Sequence, residues 1–284
     1  MKAQRHNFTV EKMCKVFNIG RSGFYDWLKR KPSKYAQERE IICNEVKSIY
    51  TESQCRYGSP KITKELKIRG FHVSRPRVAK IMKENNLKSI IVGKFKVCTT
   101  DSNHDFRISP NLLDRKFTTD GISKAWVSDI TYIKTKQGWL YLTVIMDLFD
   151  RKIIGWSMSS SLTANQTVIP AWKMAITNRP LLDGIIFHSD RGVQYACKEF
   201  RSEIESKVEQ SMSRKGNCWD NAVIENFFKI LKSETNYKKY ESRDEAKKEI
   251  FEFIEIWYNR KRIHSALGYL TPLQFGQIHS KNAA

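Results

Sequence analysis

The chain has 284 residues, 40% of them hydrophobic and 12% aromatic, which is enough for roughly two cored domains and too apolar for a disordered tail. Fifty Lys and Arg against 30 Asp and Glu give a formal charge of +20 at pH 7, and residues 1–100 hold 23 basic and 8 acidic side chains, so a polyanionic partner is expected for the first third. The longest apolar run, Trp139 to Phe149, is broken by Thr143 and Asp147 and is too short for a membrane span, Met1 to Val10 lacks a signal-peptide core, and the six cysteines form no CxxC pair. The expectation is a reduced, cytoplasmic protein without membrane, zinc or disulfide chemistry.

Residues 1–87 read as a helical DNA-binding region. Thr9 is placed to cap a short helix with Val10, Met13, Cys14 and Phe17 on one face, and Asn18-Ile19-Gly20 ends it. Ser22 is read as the cap of a second helix carrying Phe24, Trp27 and Leu28, which together outline a helix-turn-helix. A longer amphipathic helix follows around Glu38 to Tyr50. Ser59 before Pro60 then marks a helix start, Gly70 its end, and Ser74 the cap of the next helix. This second helix-turn-helix candidate opens its last helix with Arg75-Pro76-Arg77 and continues to Lys80 and Lys83, so Arg75, Arg77 and Lys80 are the expected phosphate or base contacts.

Residues 88–123 lose periodicity and read as an interdomain connection. From Lys124 the texture becomes strand-like: Ala125 to Lys134, Trp139 to Met146 and Lys152 to Met158 form an antiparallel meander with turns at Gln137-Gly138 and Asp150-Arg151. A helix toward Thr177, a strand Gly184 to Asp190, a helix Lys198 to Ser206, a strand Glu209 to Ser213 and a helix Asn221 to Glu234 complete residues 124–240. The order βββ-α-β-α-β-α is that of an α/β, ribonuclease H-like core with a five-stranded mixed sheet. Residues 241–284 read as a helix, Arg243 to Tyr258, and a basic tail.

Three acids fall where this topology would gather them: Asp129 in the first strand, Asp190 at the end of the fourth, and Glu225 one turn into the following helix, with 60 and 34 residues between them. Clustered carboxylates repel unless cations neutralise them, and hard oxygen ligands suit Mg²⁺. A two-metal site would activate the attacking oxygen and stabilise the leaving one, with no protein nucleophile. Asp129 stands in an otherwise apolar strand, which a structural role explains poorly. Asp147 and Asp150 are rival acids, better read as turn or salt-bridge residues. His188 shares a strand face with Asp190 and is as readily a core histidine as a proton carrier. Glu225, Lys229 and Lys232 share a helical face, which would direct Lys229 and Lys232 at the strand being cut.

Three stretches carry a resemblance: Trp126-Val127-Ser128-Asp129-Ile130-Thr131-Tyr132, His188-Ser189-Asp190-Arg191-Gly192-Val193-Gln194-Tyr195, and Ser211 to Glu225 with Arg214-Lys215-Gly216-Asn217 inside it. At these the chain resembles the second-frame proteins of bacterial insertion-sequence transposases of the IS-three family, which contain a retroviral-integrase-type core. Tyr258-Asn259-Arg260 and His264 to Pro272 match the end of that family, and Ser22 to Tyr25 and Tyr57-Gly58 match its front. The resemblance implies that Asp129, Asp190 and Glu225 are its DDE triad, binding Mg²⁺, with Mn²⁺ as a substitute, for cleavage and joining of transposon ends. Arg214, Lys215 and Asn217 join Arg75, Arg77, Lys80, Lys229 and Lys232 as expected DNA contacts. The family's second interval is typically one residue longer than the 34 here, and the shortening falls in Glu205 to Glu209.

The resemblance also implies partners: double-stranded DNA of terminal repeats and target, other copies of this chain, and an upstream-frame protein, fused by frameshifting or bound, that supplies the coiled coil this chain lacks. The expected function is metal-dependent DNA transposition. The rivals are a catalytically impaired DNA-binding regulator of transposition, and a structure-selective nuclease on the same fold.

Overall fold

The structure, a computed structural model, describes residues 1–90, 106–235 and 240–280. It divides into two compact units, Met1–Ser89 and Ile90–Ala284.

The first unit is helical. Helices α1 (Val10–Val16) and α2 (Arg21–Lys29) form a short hairpin, with the Thr9 hydroxyl accepting from the Lys12 amide at 3.4 Å as the sequence predicts. Ser22 does not cap α2: Gly20 holds that position and Ser22 lies inside the first turn. Helices α3 (Lys34–Glu52), α4 (Ser59–Ile68) and α5 (Arg75–Glu84) pack through Ile42, Val46, Ile49, Ile62, Leu66, Val78, Ile81 and Met82. The turn between α4 and α5 passes through Gly70 at φ +87°, a left-handed conformation that a side chain would oppose. Ser74 occupies the N-cap of α5 but makes no capping hydrogen bond, and Ser59 is the first residue of α4 after the cap Gly58.

The second unit is built on one five-stranded sheet in the order β3-β2-β1-β4-β5. Strands β1 (Ala125–Thr135), β2 (Gly138–Asp147) and β3 (Ile153–Ser159) form the expected antiparallel meander. Helix α6 (Val168–Asn178) leads to β4 (Ile186–Ser189), which runs parallel to β1. Helices α7 (Val193–Ala196) and α8 (Lys198–Ile204) then lead to β5 (Glu209–Met212), parallel to β4, and α9 (Ala222–Glu234) follows.

Side-chain alternation divides the two faces of the sheet. Trp126, Ile145, Ile154 and Phe187 bury one face under α6 and α8, with Trp172 meeting both Trp126 and Phe187 at ring distances of 5.7 and 5.6 Å. Helix α9 packs against β1 and buries Ile224, Phe227, Phe228 and Leu231. Phe227 meets Tyr258 edge-on at 4.7 Å. Asp129 is out of phase with Trp126 and Ile130, so its side chain emerges from the face opposite α6.

Two readings of the chain change. The described part of 88–123 is no free connection: Leu113 is buried, the amides of Leu112 and Leu113 donate to Ser211 Oγ at 2.9 and 3.2 Å, and Arg151 donates to Phe117 O. These contacts are made residue by residue, so no periodicity announces them. The described residues after Glu241 are likewise built into the unit. Helix α10 (Arg243–Phe251) widens into a π-helical turn at Glu252–Tyr258, and the expected tail carries α11 (Pro272–Ser280). Arg262 and Trp257 hold Glu234 at the end of α9, and Asn259 pairs with the Ile153 backbone in both directions at 2.9 Å.

Asp147 and Asp150 are structural, as read: the Arg179 guanidinium bridges them inside the unit. Burial nevertheless pushes the Asp147 carboxyl up, against the pull of Arg179.

Gly155 marks the tightest approach between β3 and α6, where an added Cβ would stand 2.2 Å from Ala171 O and 2.8 Å from Ala175 Cβ. Gly155→Ala should therefore destabilise the protein by about 1–3 kcal/mol as the helix is forced off the sheet, read as a lowered urea midpoint.

Candidate active site

Asp129 sits in the middle of β1, half-buried, with its Oδ1 accepting from the Ile130 amide at 2.8 Å. Burial raises its carboxyl well above the ordinary value, and the charge of Asp190 raises it further. Glu225 adds repulsion, while the Ile130 amide and Lys232 oppose the rise. Asp190 reaches this position through strand register. Val127 pairs with His188 in the parallel β1–β4 ladder, so two residues further along each strand Asp129 and Asp190 emerge side by side. The Asp190 carboxylate closes a turn by accepting from the Gly192 amide at 2.9 Å.

Glu225 lies in the first turn of α9, half-buried. Burial lifts its carboxyl and Lys229 pulls it back. Helical spacing puts Lys229 and Lys232 on the same side. Lys229 is exposed, whereas Lys232 is half-buried, with its ammonium lowered to about 8 by burial against the countering charge of Asp129. The three predicted acids thus share one electrostatic neighbourhood. Among the described residues no three acid, thiol or imidazole groups come together as a set that could hold a metal ion. An open, all-oxygen, mutually repelling set still fits Mg²⁺, which takes one or two carboxylates and fills its remaining positions with water and substrate phosphate.

A second layer braces these acids. His188 is fully buried between Ser211, at 2.8 Å from Nδ1, and Ser213, at 3.2 Å from Nε2. Because Ser211 Oγ already accepts the Leu112 and Leu113 amides, its hydroxyl donates to Nδ1, and the proton of the imidazole is assigned to Nε2. Ser213 then donates to Ser189 O at 3.3 Å. Burial holds the imidazole down to about 4, so His188 is a neutral core histidine that ties β4 to β5 next to Asp190. Behind Asp129, the buried Tyr195 hydroxyl donates to Ser128 Oγ at 2.8 Å, and Ser128 donates to Val144 O. Burial, with Asp129 and Asp190 nearby, keeps that phenol protonated.

The loop from β5 to α9 is pinned by a residue that sequence reasoning missed. Asp220 is buried and accepts from the Arg214 amide, Nε and Nη2 at 2.9 Å, from Arg115 Nε at 2.8 Å and from Asn111 Nδ2 at 3.0 Å. The Arg214 hydrogen bonds hold its carboxyl well below the usual range. The only sequence signal was Asp220 beside Asn221, which reads equally well as a helix cap.

The expected DNA contacts divide by environment. On α5, Arg75 and Lys80 are exposed, while Arg77 pairs with Glu38 at 2.9 Å and lies over the Tyr35 ring at 5.4 Å. In the second unit Lys215 is exposed, Asn217 Oδ1 caps the Trp219 amide, and Arg214 is committed to Asp220 and Asp114.

Three families of domains match the chain. An integrase core domain matches residues 123–218, an HTH-like domain residues 36–95, and a second integrase core domain residues 206–272. The HTH-like match covers α3 to α5, so the second of the two helix-turn-helix candidates carries it. The chain is 39% identical over 274 residues to an uncharacterized 31 kDa protein of insertion element IS600 from Shigella sonnei, covering 96% of this chain and 100% of that one. It is 37% identical over 281 residues to transposase InsF for insertion sequence IS3A from Escherichia coli K12, covering 98% and 96%. A solved structure of the HTLV-2 integrase catalytic core domain in complex with magnesium aligns at 20% identity and a TM-score of 0.39, over 55% of this chain and 97% of that one.

The Asp220 clamp carries a pH expectation. Its carboxyl is depressed below 3.8, so the bracing is complete at neutral pH and is lost only as acid protonates Asp220. Asp220→Asn at neutral pH should raise amide exchange, corrected for intrinsic rates, across residues 214–221. The wild-type loop should loosen only well into acid; equal protection in the variant at neutral pH would contradict the clamp.

Proposed function

This chain belongs to the insertion-sequence transposases typified by InsF of IS3, and from that premise we propose that its triad is Asp129, Asp190 and Glu225. The enzyme is a transposase of the polynucleotidyl transferase type with an integrase core. Water first attacks the phosphodiester at the transposon end, the P–O3′ bond breaks, and the departing 3′ oxygen takes up a proton. The freed 3′-OH then loses its proton as it attacks a target phosphodiester, forming one P–O bond and breaking another.

The observation that carries this reading is the β1–β4 register that brings Asp190 beside Asp129, with α9, which carries Glu225 and Lys232, packed against β1. The three carboxylates would hold the divalent metal, Mg²⁺ or Mn²⁺. A pair of such ions would supply activation of the attacking oxygen and stabilisation of the leaving one. The chain's own groups do the remainder. Neutral His188 and Tyr195 fix the strands beneath the acids, and exposed Lys229 offers a cation to the phosphate backbone. The HTH-like helices and the integrase core bind DNA, and Arg75 and Lys80 are exposed α5 cations placed to meet phosphate. We place the reaction in the bacterial cytoplasm, with copies of this chain assembled on DNA and with the upstream-frame protein fused or bound. Among the described residues no helix is long and apolar enough to cross a membrane.

The impaired-regulator reading is disfavoured by where the shortening lies. The turn after α8 runs through Ser206 at φ +63°, and β5 then pairs Glu209 with Ile186, at the end of β4 remote from Asp190. By Ser189 and Met212 the ladder is in step.

On labelled terminal-repeat DNA with Mg²⁺, Asp190→Asn should abolish both cleavage and joining while binding stays near wild type. Activity in the variant would remove the triad assignment. Cleavage without joined products in the wild type would turn the reading to the nuclease. Replacing Arg75 and Lys80 together by Ala should weaken DNA binding and flatten the slope of log K against log salt by about one unit for each phosphate no longer neutralised. An unchanged slope would place the DNA-binding surface elsewhere.

A further inference from the structure

Trp219 is 68% exposed, and among the described residues its indole makes no ring contact or hydrogen bond. Other exposed tryptophans are partnered: Trp27 stacks on Phe24 and Trp139 meets Tyr132 edge-on. A single exposed apolar side chain is ordinary on a protein surface. What separates Trp219 is its mounting. It lies on the loop that connects β5 to α9, the helix carrying Glu225, and that loop is hydrogen-bonded to the strands that lead to Asp190 and carry Asp129.

At its start, Arg191 donates to Ser213 O at 2.6 Å and the Ser213 amide donates to Ser189 O at 2.9 Å, which fixes it to the Asp190 strand. At its end, Asn221 Nδ2 donates to Ser128 O at 3.4 Å, beside Asp129. In between, Asp220 is buried and clamped by Arg214, Arg115 and Asn111, and Asn217 Oδ1 accepts the Trp219 amide at 3.2 Å. Hydrogen bonds thus hold the backbone at Trp219 and the Asp220 side chain next to it, the indole itself faces solvent, and it sits one short turn before the helix that carries Glu225. Lys215, on the same loop, adds an exposed cation. An exposed aromatic face on a loop that also carries a cation is suited to an unpaired base, since every base has a π-face to stack on.

We propose that Trp219 is a stacking platform for an unpaired nucleobase at the DNA end, holding the strand open next to the acids so that the scissile phosphate can reach them. This rests on the transposase reading for its substrate, and it adds a local strand separation that the triad alone does not require.

The test uses the full chain and terminal duplex from the element that encodes it, with 5-iodouracil at the bases flanking the scissile phosphate. Irradiation of the complex in EDTA should give an adduct on Trp219, mapped by mass spectrometry. Trp219→Ala should lower cleavage of fully paired ends by about tenfold or more, in keeping with the removal of one base–aromatic stack. Ends synthesised with those bases already unpaired should recover most of that activity, and Trp219→Phe should stay near wild type on both. DNA binding without an adduct in residues 214–221 would overturn the proposal, as would an equal fall in cleavage on paired and unpaired ends. A changed oligomeric state in Trp219→Ala without an adduct would assign the indole to a protein contact instead. An adduct on Trp219 from a chain that neither cleaves nor joins would leave the platform standing and remove the transposase reading.

Discussion

The placement of an acid, Asp129, in the central strand, with Asp190 next to it across the β1–β4 register and α9 packed against β1, is the constraint that the second unit has to accommodate. A carboxylate placed in a central strand, partly withdrawn from water and facing two further acids, works against folding unless a cation joins it. Lys232 brings one positive charge from α9, and burial lowers its ammonium to about 8 against the countering charge of Asp129. As the proposed triad, the three acids would carry charge that the protein alone does not fully balance. That is the electrostatic condition in which divalent metal and phosphate oxygens bind together.

Holding such charges together requires a rigid frame, and the frame is made from neutral or fully paired groups. His188 and Tyr195 are kept uncharged by burial and spend their polar atoms on serines that tie neighbouring strands. Buried ions away from the site are satisfied in compact sets, Arg179 with Asp147 and Asp150, and Arg262 with Glu234. The C-terminal segment contributes to this frame directly, since Trp257 and Arg262 fix the far end of the helix that begins next to Glu225. The negative charge gathered at Asp129 is of the sign that a bound divalent cation would answer.

Much of this was legible in the sequence, because the features that define the core obey local periodicities. The three meander strands, the α9 amphipathic face and an acid in an apolar strand all announce themselves at period 2 or 3.6. The segment 106–123 was not legible: Leu112, Leu113 and Arg115 make long-range contacts through single amides and side chains, which leave no pattern along the chain. Asp220 escaped notice because a buried acid clamped by distant arginines looks, in sequence, like a cap residue. Ser22 misled in the opposite direction, since a good capping residue stood two positions beyond the actual cap, Gly20. Arg214 reads as a loop cation, but its guanidinium serves Asp220.

The most direct test is the thermal stability of the full chain as Mg²⁺ is added in the absence of DNA, for the wild type and for Asp129→Asn. Metal that binds the folded acids stabilises by mass action, and removing the central carboxylate removes both the repulsion and the ligand. The account predicts that Asp129→Asn melts higher than the wild type without metal, and that Mg²⁺ raises the wild-type midpoint while leaving the variant's almost unmoved. An equal rise in both, or a variant that melts no higher than the wild type without metal, would contradict the claim that these three acids form one metal-demanding site.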